Sequence, residues 1–376
     1  MEMQNQQTPL ERLGFDQSDA DRLLAESLEF KGESLWTDAR RRLKKNRVAT
    51  WSMRFLILFA LMSFFAPLLP LRQPAEQNLP NQLQPPSYTF GDSNYLPLVA
   101  PGADYDPVKM TNIHGSLTFV DHWLIQARLG IFGRWQTGHW MGTDAMGRDL
   151  MSRIVWGSRT SIKVALAATL CSLLIGVLYG AFSGLMGGRI DNLMMRMVDV
   201  LYSIPFIFVV IFLITVLKDQ EEALAKYGIG RMTVFYIVIG AIYWLTMARV
   251  VRGQVLSLKN KEFIEATRVI GASVPRILLG HIVPNVLSIV IIYLTLTIPA
   301  VMLFEAFLSF LGLGIEAPEV SWGTLASDST KAINPIRIFW WLVLFPSLAM
   351  GSTLLALNML GDGLRDAMDP KMRGKD

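Results

Sequence analysis

The run "SIKVALAATLCSLLIGVLYGAFSGL", from Ser161 to Leu185, carries a single charged side chain, Lys163, close to its start. About 20 apolar residues in a helix are enough to cross the ~30 Å hydrocarbon core of a bilayer. The apolar residues do not alternate with the period of two that a membrane barrel strand shows. The run therefore predicts a transmembrane helix, in which every backbone polar group can be satisfied locally.

Further runs of this kind occur along the chain of 376 residues, which is 52% hydrophobic and only 18% charged. This composition is far from that of a soluble domain. We expect an all-α membrane protein with six transmembrane helices. The six runs are Phe55 to Leu71, Ser161 to Leu185, Met197 to Leu217, Met232 to Val251, Ile282 to Glu305 and Ile338 to Leu360.

The distribution of charge predicts the orientation of these helices. With the N-terminus in the cytosol, most of the 35 Lys and Arg residues lie in or beside cytosolic segments, as the positive-inside rule requires. Both termini are then cytosolic. The segments expected are a cytosolic part (1–54), the first helix (55–71), an extracytoplasmic loop (72–160), a five-helix core (161–360) with a cytosolic loop (253–283), and a cytosolic tail (361–376).

Two segments outside the spans have patterns of their own. "SLWTDARRRLKKNR", Ser34 to Arg47, predicts an amphipathic helix on the anionic leaflet with Leu35, Trp36 and Leu43 buried. The start of the long loop is rich in Pro, Asn and Gln, and we expect it to pack on the rest of the protein. Its last part, His139 to Ser161, predicts an interfacial helix that leads into the second span.

Small residues and prolines mark particular places within the spans. Gly176, Gly180 and Gly184 recur at four-residue spacing, which favours a close helix contact in lipid. Pro205, Pro299 and Pro346 each fall within a span, where either a simple kink or a flexible gate is consistent with the sequence.

The sequence lacks the patterns of several kinds of chemistry. It has no phosphate-binding loop of the form GxxxxGK[ST], so we expect no ATP hydrolysis by this chain. Its four histidines do not have metal-ligand spacing, so we expect no metal site, no cofactor and no catalytic residue. The spans are nearly free of charge, with Lys163 and Glu305 at their ends, which counts against an ion-coupled carrier.

The cytosolic loop interrupts this apolar chain with "EFIEATRVIGASVPRILLGHIVPN", Glu262 to Asn285. Glu262 to Ile270 can form a short helix with acids in its first turn and an apolar side made by Phe263, Ala266 and Ile270. Gly271 is positioned to end it. Such a helix either docks into a partner's groove or lies on the lipid headgroups, and the residues alone leave both possibilities open.

This stretch resembles the EAA loop of bacterial ATP-binding-cassette importer permeases. Glu265, Ala266, Gly271 and Pro284 match its register, whereas Thr267 replaces the second alanine. The sequence "HIVPN" resembles the variant of the peptide-importing branch. That branch is also matched by "MGTDAMGRDLMSRIVWGSRTS", "EAFLSFLGLGIEAPEVSWG" and "LGDGLRDAMDP", while "SLWTDARRRLKKNR" resembles the start of the C-type permease subunit of oligopeptide importers.

The resemblance implies the fold of a type I importer permease in the bacterial inner membrane. It also implies a homologous second permease, one or two cytosolic ATPases, an extracytoplasmic binding protein and a peptide substrate, with no nucleic acid. The loop would couple the ATPases to the spans. The residues that it assigns to this coupling are Glu262, Phe263, Glu265, Ala266, Thr267, Arg268, Gly271, Ala272, Arg276 and Pro284.

Alternatives remain open from the sequence. Related permeases of the same family carry dipeptides, nickel or antimicrobial peptides. Outside that family, the candidates are a membrane-embedded enzyme or assembly factor and a secondary carrier. The long loop up to residue 136 is longer than the family's usual segment, so the resemblance implies no role for it.

Overall fold

The fold is a bundle of long helices with a small extra-membrane layer at one end. This computed structural model describes residues 35–88, 90–92, 110, 114, 117–133, 135–220, 223–224, 226–227, 230–333 and 337–368. In chain order the helices are α1 (Leu35–Lys45), α2 (Arg47–Phe64), α3 (Phe119–Phe132), α4 (Leu150–Cys171), α5 (Val177–Met186), α6 (Gly188–Ser203), α7 (Phe206–Asp219), α8 (Arg231–Leu258), α9 (Glu262–Val269), α10 (Val274–Ile277), α11 (Val283–Phe310), α12 (Trp322–Lys331) and α13 (Trp340–Met368).

In the described part of the chain, five continuous helical segments are long and apolar enough to cross a membrane, and a bent pair of helices makes a sixth if it forms one span. The continuous segments are Arg47–Phe64, Leu150–Met186, Met232–Leu258, Val274–Phe310 and Trp340–Met368. They run through the bundle in alternating directions. Helix α9 therefore lies at one end, which we call the α9 end, while α3 and α12 lie at the opposite end, which we call the α3 end.

The first span is displaced from the apolar run that predicted it. Helix α2 begins at Arg47, capped by the Asn46 side chain, and ends at Phe64 rather than Leu71. Pro67 falls within a short 3₁₀ turn after it, where a proline lacks the N–H that would continue an α-helix. The apolar run from Phe55 to Leu71 is thus partly helix and partly the turn that leaves it.

Helix α1 packs against the C-terminal part of α13. Within α1, the carboxylate of Asp38 forms ion pairs of 3.1 Å with both Arg41 and Arg42. Leu43 is half-buried, whereas the side chains of Leu35 and Trp36, expected to be buried, lie outside the described residues. At least part of the apolar face of α1 is therefore covered by the protein itself.

The segment after α2 folds onto the α3 end. Strand β1 (Phe90–Asp92) pairs in antiparallel fashion with β2 (Trp135–Thr137). Trp341 of α13 donates its indole N–H to the backbone oxygen of Thr143 at 3.2 Å. Helix α3 begins with a capping box between Thr118 and Asp121. The hydrogen bond from Trp341 joins this layer to α13.

The expected interfacial helix before the second span is continuous with that span. Its N-cap is Asp149, whose side chain accepts a hydrogen bond from the Ser152 backbone, and α4 then runs through a π-helical turn, Ser172–Gly176, into α5. The loop predicted up to Thr160 therefore ends earlier. The two carboxylate oxygens of Asp149 have separate partners: Oδ2 accepts the Ser152 N–H at 2.8 Å, and Oδ1 lies 3.1 Å from Nδ1 of His139.

The third span is broken at Pro205. Helices α6 and α7 meet at an angle of 81°, with Ile204 extended between them. Pro205 has no N–H to donate and forces the preceding residue out of the helical region. By contrast, Pro299 and Pro346 lie inside continuous helices, so only one of the three prolines marks a sharp bend.

Candidate functional site

Helix α9 is largely exposed at its end of the bundle, and its local sequence explains why it forms. Lys261 precedes it in extended conformation, and Glu262 and Glu265 lie in the first turn. Arg268 lies in the last turn. This arrangement places negative charge at the positive end of the helix dipole and positive charge at the negative end.

The helix ends in a Schellman motif built on Gly271. The Gly271 N–H donates to the Arg268 carbonyl at 2.9 Å, and the Ala272 N–H donates to the Thr267 carbonyl at 3.1 Å. Gly271 has a φ of +83°, a conformation that is strained for other residues. The motif turns the chain into α10 within two residues.

One buried side chain anchors α9 to the bundle. Ile264 is fully buried in a cluster with residues of α5, α8 and α11, including Val255 and Val286. Because Ile264 is fixed there, the opposite side of this two-turn helix points away from the bundle. The sequence reasoning did not name Ile264, although its position between Phe263 and Glu265 makes it the residue on the reverse face.

The outward side of α9 is apolar at its tip. Val269 and Ile270 are 88% and 84% exposed, and Phe263 is 41% exposed. Exposed apolar residues in such a contiguous patch mark interaction surfaces. Glu262, Glu265, Ala266 and Arg268 are exposed around them, so the surface combines an apolar centre with a charged margin.

A cleft lies behind the same loop. It encloses about 520 Å³ between the end of α5 and the start of α10, and its lining includes Lys259, Arg268 and Ala272. The cleft receives the carbonyl end of α5, where positive side chains are favourable. Ile264 is the buried residue of α9, and its side chain contacts the bundle.

The remaining predicted residues lie further from the tip. Arg276 is exposed on α10, one turn beyond the loop. Pro284 lies in the first turn of α11, about 15 Å along the helix from Val274 at 1.5 Å per residue. Between them, Leu278–Ile282 forms a π-helical turn in which the side chain of Asn285 donates to the His281 carbonyl at 2.6 Å. Pro284 therefore does not share a surface with Gly271.

The helix behind α9 is held by the glycine series of the second span. A Cβ atom on Gly176 would lie 2.8 Å from the Trp244 carbonyl oxygen, and one on Gly184 would lie 3.1 Å from that of Arg252. At Gly180 it would overlap the Ala248 carbonyl. The three glycines therefore let α5 approach the backbone of α8 directly.

Charged side chains also occur within the spans. Arg252 of α8 makes two hydrogen bonds, of 2.6 and 2.7 Å, to Asp191 of α6. Arg249 pairs with Asp199 at 2.9 Å. The expectation of spans nearly free of charge did not include these residues, although Arg249 and Arg252 lie three residues apart, a spacing that places both on one side of α8. Among the described residues there is no group of three or more His, Cys, Asp or Glu side chains that could hold a metal ion.

Comparison with known proteins gives the family. The profile described as "Binding-protein-dependent transport system inner membrane component" matches residues 176–374, which include α9 and the Gly271 turn. A second profile, "N-terminal TM domain of oligopeptide transport permease C", matches residues 34–86.

Curated relatives match over almost the full length of the chain. The oligopeptide transport system permease protein OppC of Escherichia coli K12 is 40% identical over 93% of this chain and 95% of its own. That of Haemophilus influenzae is 38% identical over 94% of both chains. The dipeptide transport system permease protein DppC of Bacillus subtilis is 37% identical over 93% of this chain and 90% of its own. The chain therefore belongs to the family of inner membrane components of binding-protein-dependent transport systems.

Proposed function

We propose that this chain is one permease subunit of an ATP-driven importer that moves oligopeptides across the bacterial inner membrane. The observation that carries the proposal is α9, a short helix fixed by Ile264 that presents Val269 and Ile270 to the outside. Relatives that match over 93% or more of the chain are named as oligopeptide permeases, which supports the choice of cargo.

In this mechanism the chain provides the translocation path and changes conformation, whereas the hydrolysis of ATP takes place in the ATPases. Two cytosolic ATPases dock on α9 and its counterpart in a homologous second permease. When the ATPases close, α9 transmits the displacement through Ile264 to α5, α8 and α11, whose side chains surround it. Rigid rotation of packed helices is a known means of switching a protein between two states. A binding protein delivers the peptide on the other side.

The proposed orientation places the α9 end in the cytosol, with both termini there. The α3 end then faces outward, where its layer of short strands and helices is available to a binding protein. The same orientation follows from the distribution of Lys and Arg in the sequence.

A substitution at the tip of α9 tests the docking role. Ile270→Asp places a charge at a side chain that is 84% exposed, so the fold should remain intact while an apolar contact with an ATPase is lost. The assay is co-purification of the ATPases with the tagged permease, together with peptide uptake. We expect both to fall at least tenfold.

Ile131→Asp is the matched control. Ile131 is 67% exposed on α3 at the opposite end of the bundle, so the same change there should leave the ATPases bound. Full retention of the ATPases by Ile270→Asp at equal membrane abundance would refute docking through α9.

Dipeptides are the second candidate cargo, because a dipeptide permease is 37% identical over 93% of the chain. Competition separates the two. If the importer carries oligopeptides, excess unlabelled penta- or hexapeptide will suppress uptake of a labelled pentapeptide, and dipeptide will not. Suppression by dipeptide alone would reassign the cargo.

A further inference from the structure

A charged group lies on the membrane part of the chain without being buried. Asp199 and Tyr202 belong to α6, and Arg249 belongs to α8. The guanidinium of Arg249 bonds to Asp199 at 2.9 Å and lies 4.2 Å from the centre of the Tyr202 ring. Ion pair and cation–π contact together fix the position of this cation.

The group lies part-way along the length of the bundle and not at either end. Arg249 is nine residues before the end of α8, about 13 Å at 1.5 Å per residue. The position of α6 gives a similar depth. The Ser183 hydroxyl of α5 donates a hydrogen bond to Asp191, and the Tyr179 hydroxyl, one turn earlier in α5, donates to the Met194 carbonyl. Helix α6 therefore runs alongside α5, away from the α9 end. Asp199 follows Met194 by five residues, about 7.5 Å further along α6. Because both contacts hold the guanidinium in place, it does not extend to the headgroups as an unpaired arginine would.

The pair of Arg249 and Asp199 is more exposed than the neighbouring pair of Arg252 and Asp191. Arg252 and Asp191 are 31% and 7% exposed, and Ser183 also bonds to Asp191, as in a structural pair. Arg249 and Asp199 are 38% and 58% exposed. Charged groups within a membrane are costly when they face lipid, and they are found facing protein or water-filled cavities. Something other than hydrocarbon must therefore cover this face.

The side of the bundle that we assign to lipid is apolar, unlike the face around Arg249. One exposed line along α4 and α5 consists wholly of apolar side chains at four-residue spacing: Leu166, Leu170, Leu174, Leu178 and Phe182. The face around Arg249 instead continues into exposed Thr246 and Gly253 on α8 and exposed Ser203 on α6. The chain thus has one surface suited to lipid and another suited to water.

We propose that Asp199, Tyr202 and Arg249 line the water-filled translocation path and contact the charged ends of the peptide in transit. This rests on the proposed function. A free peptide carries an ammonium and a carboxylate. Arg249 can bind a carboxylate through its planar fork, and Asp199 can accept hydrogen bonds from an ammonium. Because both groups are exposed, a peptide can reach them without an opening of the fold.

The location fits a contact that is transient. The site is formed by α6 immediately before the 81° bend at Pro205, so a change in that bend would shift Asp199 and Tyr202 relative to Arg249. A path must bind its cargo weakly enough to release it. An exposed pair, in which water and peptide compete with the internal ion pair, meets that requirement better than a buried site.

Cysteine labelling tests whether this face is wet. The single native cysteine, Cys171, is replaced by alanine, and Thr246→Cys is compared with Leu178→Cys. Leu178 is 45% exposed on the apolar line. It lies at the level of Thr246, since Gly176 and Gly180 on either side of it approach Trp244 and Ala248 of α8. The complete importer in nanodiscs is treated with a charged, membrane-impermeant thiol reagent. We expect Thr246→Cys to react at least tenfold faster, and loaded binding protein with ATP to slow its reaction.

An equal, slow reaction at both positions would overturn the proposal, since the face would then be covered by the second permease or by lipid. Assembly and peptide uptake by the cysteine variants are measured in parallel. If the Thr246→Cys importer takes up peptide normally but its cysteine reacts slowly, this inference alone is refuted. If the unsubstituted importer takes up no peptide, the proposed function is refuted.

Charge exchange separates cargo contact from a structural ion pair. Arg249→Gln, Asp199→Asn and the double exchange Arg249→Asp with Asp199→Arg are compared at equal abundance and equal co-purification of partners. A contact with the peptide predicts at least tenfold lower uptake in all three. Restoration of wild-type uptake by the double exchange would show that the pair only holds α6 to α8, and the proposal would be wrong.

Discussion

At the residue scale, Gly271 combines a backbone requirement with an open surface. Its φ of +83° is strained for other residues by about 1–2 kcal/mol, yet nothing lies within 4 Å of the place where a Cβ would be. Asn tolerates this conformation better than β-branched residues do. We expect Gly271→Asn to retain most peptide uptake and Gly271→Val to reduce it strongly, because valine opposes the Schellman turn.

Gly271→Arg tests the surface around the same turn. Arginine meets the same backbone strain at this φ as other residues, and its long cation in addition obstructs a close docking partner. Uptake should therefore be abolished by Gly271→Arg where Gly271→Asn retains it, while membrane insertion remains normal. Uptake is measured at equal membrane abundance. If Gly271→Arg transports like the wild type, this turn is not part of the docking surface.

The buried side chain of His114 predicts that the stability of the protein depends on pH. It is 5% exposed beside Trp156, with ring centres 4.9 Å apart, and burial lowers its pKa from 6.5 to about 4. Between these values the unfolded chain binds the proton and the folded chain does not. Stability is therefore complete above pH 6.5 and falls by about 3 kcal/mol as the pH drops through 4.

The thermal unfolding of the purified protein between pH 7 and pH 4 checks this dependence. His114→Phe keeps an apolar ring in the same place and should flatten the acid side of the profile. An unchanged profile in His114→Phe would assign the acid sensitivity to other groups.

At the scale of the element, the contact between α5 and α8 depends on missing side chains. A methyl group at Gly180 would overlap the Ala248 carbonyl, so Gly180→Ala should push the helices apart and destabilise the protein by about 1–3 kcal/mol. Gly253→Ala, on α8 with nothing within 4 Å, is the matched control. Thermal unfolding in detergent should show a lower midpoint only for Gly180→Ala; equal midpoints would mean that the contact adapts.

At the scale of the whole molecule, Glu305 ties three helices together near the α3 end. Its carboxylate accepts hydrogen bonds from Ser321 at 2.6 Å, Ser309 at 2.8 Å and Ser161 at 3.2 Å. A second tie joins Asp144 to Arg153 and Arg153 to Asp328 of α12. Together these groups attach the segment before the last span to α4 and link the layer at the α3 end to the spans.

Glu305→Leu leaves three buried hydroxyl groups without their acceptor, and each unpaired polar group costs about 1–3 kcal/mol. We expect lower thermal stability and easier proteolysis around α12, with a smaller effect for Glu305→Gln, which keeps an acceptor. Limited proteolysis of the purified importer is the measurement. If Glu305→Leu is as resistant as the wild type, α12 is held by apolar contacts such as those of Trp322 instead.

Much of the local structure of the proposed docking helix could be predicted from the sequence. The acids of the first turn, the basic last turn and Gly271 predict a short capped helix, because capping and dipole effects act within a few residues. The burial of Ile264 and the distance of Pro284 from the tip could not be read in this way. Both depend on how α9 is placed against α5, α8 and α11.

The sequence by itself determined the class of this protein and the identity of most spans, because a bilayer imposes length and apolarity on each helix separately. Tertiary structure alone decided where the first span begins, that the third span bends by 81° at Pro205, and which charges within the spans are paired. The pairing of Arg249 with Asp199 illustrates the reason. Asp199 and Arg249 are 50 residues apart in the sequence, and only the approach of α6 to α8 brings them within hydrogen-bond distance.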